Sequence, residues 1–344
     1  MITTSVKRCC LVLLLPVLLT TGEDVGAQTA ADATFKNPLL PSGPDPWVVA
    51  DRGVYYYTHT LGDRITLWRT TDIANLEHSE QRTVWKPPKT GPNAHSIWAP
   101  ELHRLRGKWY LYYSATASGF KDDQHRGVFV MENASADPMQ GKWIDRGRVN
   151  TARAGIDGTV FDYSGELYFA YSPYVGAVSG IAIARMTNPW TVIGDETLIA
   201  EPDKPWEDQG GRRILEGPEF LKGPSGRIFM TYSAGACWSD NYALGMLEVK
   251  AGEDLLMRSS WTRRSQPVLK SANGIFATGH NGFFRSPDGR EQWVIYHANP
   301  RSGMGCTAKR APHIGKIGWT EDGSPIFPEP TTGRQLKPSD TQRR

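Results

Sequence analysis

A strand, a glycine turn and a second strand recur five times along this chain of 344 residues, and this repeat constrains the fold more than any other feature. In the first unit, an anchor Asp45 precedes the apolar run Trp47-Val48-Val49, Gly53 marks the turn, and Val54-Tyr55-Tyr56-Tyr57 returns. The anchors of the five units are Asp45, Ala99, Asp157, Glu216 and His280. They lie roughly 60 residues apart, and such a fixed period indicates a repeat architecture.

Further short strand-like runs lie between these hairpins. Examples are Ile65-Thr66-Leu67-Trp68 and Ile181-Ala182-Ile183-Ala184, both bounded by turn-forming residues. No segment has a helical period of useful length. Four strands in each of five units predict an all-β fold, a five-bladed β-propeller, with the active site at one mouth of the central channel. A β-sandwich ranks lower because its turn signals recur every 8 to 12 residues or so.

The N-terminal residues have the pattern of a secretory signal peptide. Lys7 and Arg8 precede the apolar run from Cys9 to Leu19, and Val25-Gly26-Ala27 then provides small residues at the two positions that a signal peptidase reads before Gln28. The run is shorter than the about 20 residues that span a bilayer. We therefore predict a signal peptide at 1–27, a single catalytic propeller domain at 28–344, secreted or periplasmic localisation and no membrane anchor.

Charge and cysteine content exclude several classes of partner. Lys and Arg number 39 against 36 Asp and Glu, and they are dispersed, so neither nucleic acid nor an anionic membrane is an expected partner. Only Cys237 and Cys306 follow the signal peptide, and the sequence leaves open whether they pair. Without C-x-x-C or H-E-x-x-H motifs, a structural zinc site has no support.

The anchors predict a site because a propeller brings equivalent positions of its innermost strands together around the axis. Asp45, Asp157 and Glu216 would then share one concave site. A single such carboxylate more often accepts turn hydrogen bonds at its own strand start. Three carboxylates at repeated positions favour chemistry. Cleavage of a glycosidic bond needs one carboxylic acid and one carboxylate, and a third carboxylate nearby keeps the acid protonated by repulsion.

Five motifs in order resemble family 43 of the glycoside hydrolases, and most closely its exo-acting α-L-arabinofuranosidases. The motifs are Gly43-Pro44-Asp45-Pro46-Trp47, Ile97-Trp98-Ala99-Pro100-Glu101, Gly155-Ile156-Asp157-Gly158-Thr159-Val160-Phe161, Leu215-Glu216-Gly217-Pro218-Glu219 and Thr278-Gly279-His280-Asn281-Gly282-Phe283. The resemblance implies that Asp45 is the general base, Glu216 the general acid and Asp157 the modulator of that acid. It also implies inversion, with the two catalytic carboxyl groups roughly 6.5 to 9.5 Å apart.

The resemblance also implies roles around the axis. His280 matches a histidine that lies beside a calcium or sodium ion, bound through water, in the family; it is alternatively a hydrogen-bond donor to substrate or to Glu216. We expect no cofactor in the chemistry and a structural role for any such ion. Trp98 and Trp47 are candidate sugar-stacking residues, although Trp47 equally suits packing between blades.

Two segments outside the motifs bear on specificity. Trp206 and Glu207 lie in a Pro- and Gly-rich insertion that either overhangs the pocket or connects blades in solvent. Before the last strand, relatives often read Arg-Ala-Gln-Lys, whereas this chain reads His313-Ile314-Gly315-Lys316. If that arginine touches the sugar, His313 or Arg310 must replace it.

The expected function is release of terminal α-L-arabinofuranosyl units from plant cell-wall arabinan or arabino-oligosaccharides by a monomeric inverting enzyme. Three other specificities fit the same scaffold: β-xylosidase, arabinoxylan-debranching arabinofuranosidase and endo-arabinanase. A non-catalytic carbohydrate-binding propeller is the alternative from a different class, and it would be favoured by a missing anchor carboxylate.

Overall fold

The computed structural model describes residues 1–2 and 33–339, and residues 33–339 build five antiparallel sheets of four main strands each. The sheets follow one another along the chain without interleaving, as the blades of a propeller do. The prediction of an all-β, five-bladed β-propeller is therefore confirmed. The predicted signal peptide lies outside the described residues.

Each blade is a meander in which the strands pair in chain order. Blade 1 contains Trp47–Asp51, Val54–Thr58, Ile65–Thr70 and Glu80–Trp85. Blade 2 contains His95–Leu105, Lys108–Thr116, Arg126–Asn133 and Ile144–Arg148. Blade 3 contains Gly155–Tyr163, Glu166–Val175, Ile181–Asn188 and Thr191–Ala200, with a short Val178–Ser179 beside its second strand. Blade 4 contains Leu215–Lys222, Ile228–Ala234, Ala243–Val249 and Thr262–Arg263. Blade 5 contains Phe276–Arg285, Gln292–Asn299, Ala311–Trp319 and Pro325–Ile326.

The remaining elements are short. A hairpin of Asp208–Gln209 and Arg212–Arg213 precedes blade 4, and Thr34–Phe35 pairs with Gln335–Leu336. The helices of the described residues are 3-10 turns at Ile73–His78, Asp123–His125, Pro205–Glu207 and Arg258–Ser260. None of the described helices is long and apolar enough to cross a membrane.

Apolar side chains on both faces of the strands explain why the blades stack. Successive residues of a strand point to opposite faces, so an apolar run is buried on both sides. In blade 1, Tyr55 and Tyr57 pack toward blade 5, whereas Tyr56 packs toward blade 2. Every neighbouring pair of blades encloses a hydrophobic cluster of this kind, and the cluster between blades 5 and 1 closes the ring.

The innermost strands share a left-handed residue at the channel mouth. These residues, with φ between 42° and 57°, are Asp45, Ala99, Asp157, Gly217 and His280. The sequence alignment placed Glu216 in this series, but the structure corrects it by one residue. Gly217 is the equivalent position, and its following Pro218 matches Pro46 and Pro100. Glu216 therefore lies one residue before the position that is equivalent to Asp45 and Asp157.

Each left-handed residue is fixed by a hydrogen bond to the preceding blade. Its backbone N–H donates to a side chain there, at distances between 2.7 and 3.1 Å. The pairs are Ala99 with Thr60, Asp157 with Ser114, Gly217 with Asp157, His280 with Ser233, and Asp45 with His297. Because a non-glycine residue with positive φ is strained, these bonds hold conformations that the chain would otherwise leave.

The ring is closed by the segment before blade 1. Asn37 is buried, and its side chain donates to the Ile314 carbonyl at 2.8 Å and accepts from the Ile314 N–H at 2.9 Å. The backbone N–H groups of Leu39 and Gly43 donate to the carbonyls of Pro312 and Arg310, both at 2.8 Å. The N-terminal segment thus runs along the third strand of blade 5.

We predict that Asn37→Ala destabilises the fold by about 2 kcal/mol, because it leaves two buried backbone groups of Ile314 without partners. Urea unfolding followed by tryptophan fluorescence measures this change. Asn241→Ala is the matched control, since the side chain of exposed Asn241 makes one bond, to Gln209 Oε1, and its loss is expected to cost little. Equal destabilisation by the two substitutions would contradict the closure role of Asn37.

Candidate active site

The left-handed residues surround a pocket of about 350 Å³ at one mouth of the channel. Its floor contains all three predicted carboxylates together with His280 and Arg310. Its walls come from strand ends and from loops above the blades, and they include Trp98, Asp123, Tyr174, Arg212, Trp238 and the Cys237–Cys306 pair. The volume lies within the range of small-ligand sites.

Asp45 is buried and held as a carboxylate. Its Oδ1 accepts a hydrogen bond from Arg310 Nη1 at 2.8 Å, and its Oδ2 accepts one from Thr60 Oγ1 at 2.7 Å. Burial raises the pKa of Asp45, but the positive charges of Arg310 and His280 outweigh burial and hold that pKa well below its usual range. Asp45 is therefore ionised and able to accept a proton.

Asp157 is the opposite case. It lies nine-tenths or more buried, and its Oδ2 accepts the Gly217 N–H at 3.1 Å, directly beside Glu216 in the chain. Burial raises the pKa of Asp157 to about 7; His280 opposes the shift, and the nearby Glu216 and Asp45 charges add to it. Asp157 thus holds a proton more readily than an exposed aspartate does.

Glu216 lies in the first strand of blade 4, opposite Ser233 of the second strand. The register between the two strands shifts at a bulge between Glu216 and Glu219. Bulges re-aim side chains, and here Glu216 faces the pocket. Its Oε1 accepts a hydrogen bond from the buried Tyr242 hydroxyl at 2.7 Å. Burial raises the pKa of Glu216, although the Tyr242 bond acts in the other direction. A protonated Glu216 can donate to an atom in the pocket.

His280 lies between the carboxylates at the axis. Its Nδ1 is 3.6 Å from Asp45 Oδ1 and 4.0 Å from Asp157 Oδ2. Burial lowers the pKa of His280, but these carboxylates outweigh burial and raise it. A Cβ on Gly217 would lie 3.4 Å from the His280 ring, which is ordinary van der Waals contact, so Gly217 lies directly beside the ring.

This arrangement does not fit a metal ion bound directly at Nδ1 of His280. That nitrogen points toward the carboxyl oxygens of Asp45 and Asp157, as a protonated nitrogen does, whereas a metal ligand needs a free lone pair there. Within residues 33–339, no group of three or more His, Cys, Asp or Glu side chains is arranged to hold a metal ion. An ion held at the axis through water stays a prediction.

The two tryptophans predicted to bind substrate occupy different places. Trp98 is half-buried at the pocket wall, where the Arg126 guanidinium lies 3.5 Å from the centre of its ring. Trp47 is buried between blades 1 and 2, and its indole donates to the Leu102 carbonyl at 2.8 Å. The structure brings Trp98 into the pocket and leaves Trp47 in the packing between blades.

Of the two residues that could replace the arginine of the family pattern, Arg310 lines the pocket and His313 does not. Arg310 directly precedes the third strand of blade 5 and binds Asp45. His313 lies inside that strand, stacks against Tyr296 at 5.6 Å, and has its pKa lowered to about 4 by burial. Its side chain is therefore a neutral part of the core.

The insertion before blade 4 overhangs the pocket through its hairpin, but Trp206 and Glu207 pack against blade 4 and do not form a connector in solvent. Glu207 is fully buried and accepts the Tyr232 hydroxyl at 2.8 Å, while Trp206 donates to the Ser265 carbonyl, so both anchor the insertion to blade 4. The hairpin that follows reaches over the pocket. There, Arg212 Nη2 lies 3.1 Å from Asp123 Oδ2 of the segment after the second strand of blade 2.

Two residues that line the pocket, Thr60 and Trp238, were not predicted from the sequence. They lie on segments that follow second strands, outside the repeated anchors. Tyr242, on the same segment as Trp238, is the residue that bonds Glu216. The sequence left the pairing of Cys237 and Cys306 open, and the structure contains this disulfide at the pocket wall. No repeated spacing marks the two cysteines in the sequence, since Cys237 follows the turn Gly226 by 11 residues whereas Cys306 follows Gly289 by 17.

The sequence profile of "Glycosyl hydrolases family 43" matches residues 35–325. The chain belongs to this family. The predicted resemblance is therefore confirmed, and so is the prediction of a glycosidase.

Relatives of this family 43 glycosidase include arabinofuranosidases. It is 35% identical over 326 residues to an "Extracellular exo-alpha-(1->5)-L-arabinofuranosidase" of Streptomyces avermitilis, which covers 90% of this chain and 67% of the relative. A protein of the same description from Streptomyces chartreusis is 34% identical over 290 residues, covering 81% and 87%. The crystal structure of alpha-L-arabinofuranosidase from Lactobacillus brevis superimposes with a TM-score of 0.81 at 30% identity, covering 86% of this chain and 97% of that one.

We predict that Asp157→Asn stabilises this family 43 glycosidase at pH 8 while lowering its activity. A folded pKa of about 7 lies above the ordinary aspartate value, so ionisation of Asp157 destabilises the fold as pH rises from about 4 to 8. An Asn side chain avoids this ionisation. We expect the melting temperature at pH 8 to rise by about 2 to 4 °C, the shift that about 1 kcal/mol produces in larger domains.

Thermal melts of wild type and Asp157→Asn between pH 4 and pH 8 measure the effect. The gain should shrink toward pH 4, where Asp157 is protonated in the wild type. Asp162→Asn, an exposed position on the same strand, is the matched control and should show no pH-dependent gain. A constant loss of stability across this pH range for Asp157→Asn would rule out the interpretation.

Proposed function

We propose that this glycosidase releases terminal α-L-arabinofuranosyl units from arabinan or arabino-oligosaccharides by single-displacement inversion. The observation that carries the proposal is the contrast between carboxyl groups in one pocket. Asp45 has a lowered pKa, whereas Glu216 and Asp157 have raised ones. Such a separation of pKa values is what an acid and a base need to act at the same pH.

Asp45 is the base in this mechanism. Arg310 and His280 keep it ionised in a buried place, and the Thr60 hydroxyl fixes its second oxygen. Asp45 takes a proton from water as that water attacks the anomeric carbon. The attack comes from the face opposite the leaving group, so the released arabinose has the inverted, β configuration.

Glu216 is the acid that protonates the leaving glycosidic oxygen. Its raised pKa keeps the proton available, and the Tyr242 hydroxyl orients the carboxyl group. Asp157 acts through position and charge: its carboxyl group accepts the Gly217 N–H, next to Glu216 in the chain, and an ionised Glu216 raises the pKa of Asp157, so the two acids resist being ionised together. Trp98 provides an aromatic face at the wall for the pentose.

The walls support action at chain ends. The Arg212–Asp123 contact bridges the rim on one side, and the Cys237–Cys306 disulfide lies on another. A bridged rim suits a chain terminus better than the middle of a polysaccharide. The relatives described as exo-acting and extracellular support this reading, and with the predicted signal peptide they support secretion. No metal takes part in the proposed steps.

The test is product analysis of the purified protein on debranched linear arabinan, branched arabinan, arabinoxylan and xylo-oligosaccharides, beside Glu216→Gln as the inactive control. Arabinose as the only product from linear arabinan, absent with Glu216→Gln, is the expected result. Proton NMR of the first product should show the β anomer. A ladder of oligosaccharides would indicate endo-arabinanase, xylose a xylosidase, and no product the non-catalytic alternative.

We also predict different behaviour for substitutions of the two catalytic carboxyl residues. Asp45→Ala should lower kcat/KM by about a thousandfold on every substrate, because no group then accepts the water proton. Glu216→Ala should lose activity on arabino-oligosaccharides but retain it on aryl arabinofuranosides, whose leaving groups need little protonation. Steady-state kinetics on both substrate types measure this, with exposed Asp195→Ala as control. Wild-type turnover by Asp45→Ala would remove Asp45 from the mechanism.

A further inference from the structure

Two loops above blades 4 and 5 are joined into one wall of the pocket. Cys237 lies on the loop after the second strand of blade 4, and it is disulfide-bonded to Cys306, on the loop after the second strand of blade 5. On the same loop as Cys237, Asp240 accepts hydrogen bonds from the Ser302 hydroxyl at 2.5 Å and the Gly303 N–H at 3.0 Å. Both sulfur-bearing residues line the pocket.

Trp238 is the prominent side chain of this wall. It lines the pocket, and it is 46% exposed, which is unusual for a tryptophan without a partner surface. The ring is nevertheless fixed, because its Nε1 donates to the Gly210 carbonyl at 2.8 Å. Gly210 has no side chain to separate them, since a Cβ there would lie 2.9 Å from that nitrogen. A fixed and exposed aromatic face is a ready surface for a sugar ring.

The register of blade 4 places Trp238 on the side of the acid. Glu216 pairs directly with Ser233, and the chain continues from Ser233 through Gly235 and Cys237 to Trp238 as it leaves the sheet at this mouth. In hydrolysis, the leaving oxygen must meet the acid. The sugar unit beyond that oxygen therefore lies above Glu216, next to the loop that carries Cys237 and Trp238.

We propose that Trp238 is the stacking platform for the first sugar unit of the leaving group, and that the Cys237–Cys306 disulfide holds that platform in place. This inference rests on the proposed function, because the sugar it assigns is the arabinosyl unit next to the cleaved bond. Contacts to the leaving sugar exist before and during bond cleavage, so they act on KM rather than on kcat.

The experiment compares α-1,5-linked arabinobiose with methyl α-L-arabinofuranoside, which has no ring on the leaving side. Trp238→Ala should raise KM for arabinobiose about tenfold, the size of a lost stacking contact. It should leave kcat for arabinobiose and both constants for the methyl glycoside unchanged. Trp238→Phe should restore most of the affinity for arabinobiose.

Two further variants distinguish loss of the Trp238 contact from a general loss of structure. Trp190→Ala removes a half-buried tryptophan that packs against Arg146 away from the pocket, and it should change neither substrate. The double variant Cys237→Ser/Cys306→Ser should raise KM for arabinobiose by less than Trp238→Ala does, because the Asp240 bonds still join the loops. Equal losses on both substrates for Trp238→Ala, or no loss on either, would overturn the proposal.

The same measurements keep the inference separate from the proposed function. If the wild type cleaves xylobiose and methyl β-xyloside but no arabinofuranoside, the proposed arabinose specificity fails. The platform is then tested on the xyloside pair, where a KM increase for xylobiose alone upholds it and equal constants overturn it. A wild type that cleaves neither pair overturns both.

Discussion

The structure depends on one repeated constraint: a left-handed residue at the channel end of each innermost strand, bonded to the preceding blade. The backbone N–H of Asp45, Asp157 and His280 each donates to a side chain from the neighbouring sheet. Such conformations are costly for residues with a Cβ, so they persist only where the surroundings hold them. The same bond therefore performs two tasks. It joins one blade to the next, and it turns the anchor side chain toward the axis.

In blade 4 the repeated hydrogen bond has a different acceptor, and this difference positions Asp157 beside the proposed acid, Glu216. Where other blades use a hydroxyl or imidazole as acceptor, the Gly217 N–H donates to the Asp157 carboxylate itself. The modulating carboxyl group is thereby fixed beside Glu216 by the propeller's own architecture. Glu216 lies one residue before the position equivalent to the other anchors, and Gly217, at that position, packs beside the His280 ring. Glu216 and Gly217 therefore combine the proposed acid, the contact with His280 and the repeated bond to the preceding blade.

The sequence predicted the features that repeat and missed those that arise from the way distant segments meet. The blades and the three carboxylates were predictable because glycine turns and anchors recur locally in each unit. The one-residue offset at Glu216 was missed because carboxylates were aligned with one another, although Gly217-Pro218 matches Asp45-Pro46 in kind. Trp47 was read as a candidate sugar contact from its closeness to Asp45, but its indole binds the Leu102 carbonyl in blade 2. Trp238 lines the pocket and Tyr242 bonds Glu216 from the loop after the second strand of blade 4, and the repeated anchors do not mark that loop.

Closure of the ring and ionisation of the base are linked through Arg310. Its carbonyl accepts the Gly43 N–H, and its guanidinium binds Asp45, two residues further along the same N-terminal segment. The segment that completes the ring thus carries the base to the cation that keeps it ionised. If the two ends of the propeller separated, Asp45 would lose the cation that does most to lower its pKa against the effect of burial, and that pKa would rise. A base with a raised pKa holds its own proton and cannot take one from water, so a closed ring is a condition of the chemistry as well as of stability.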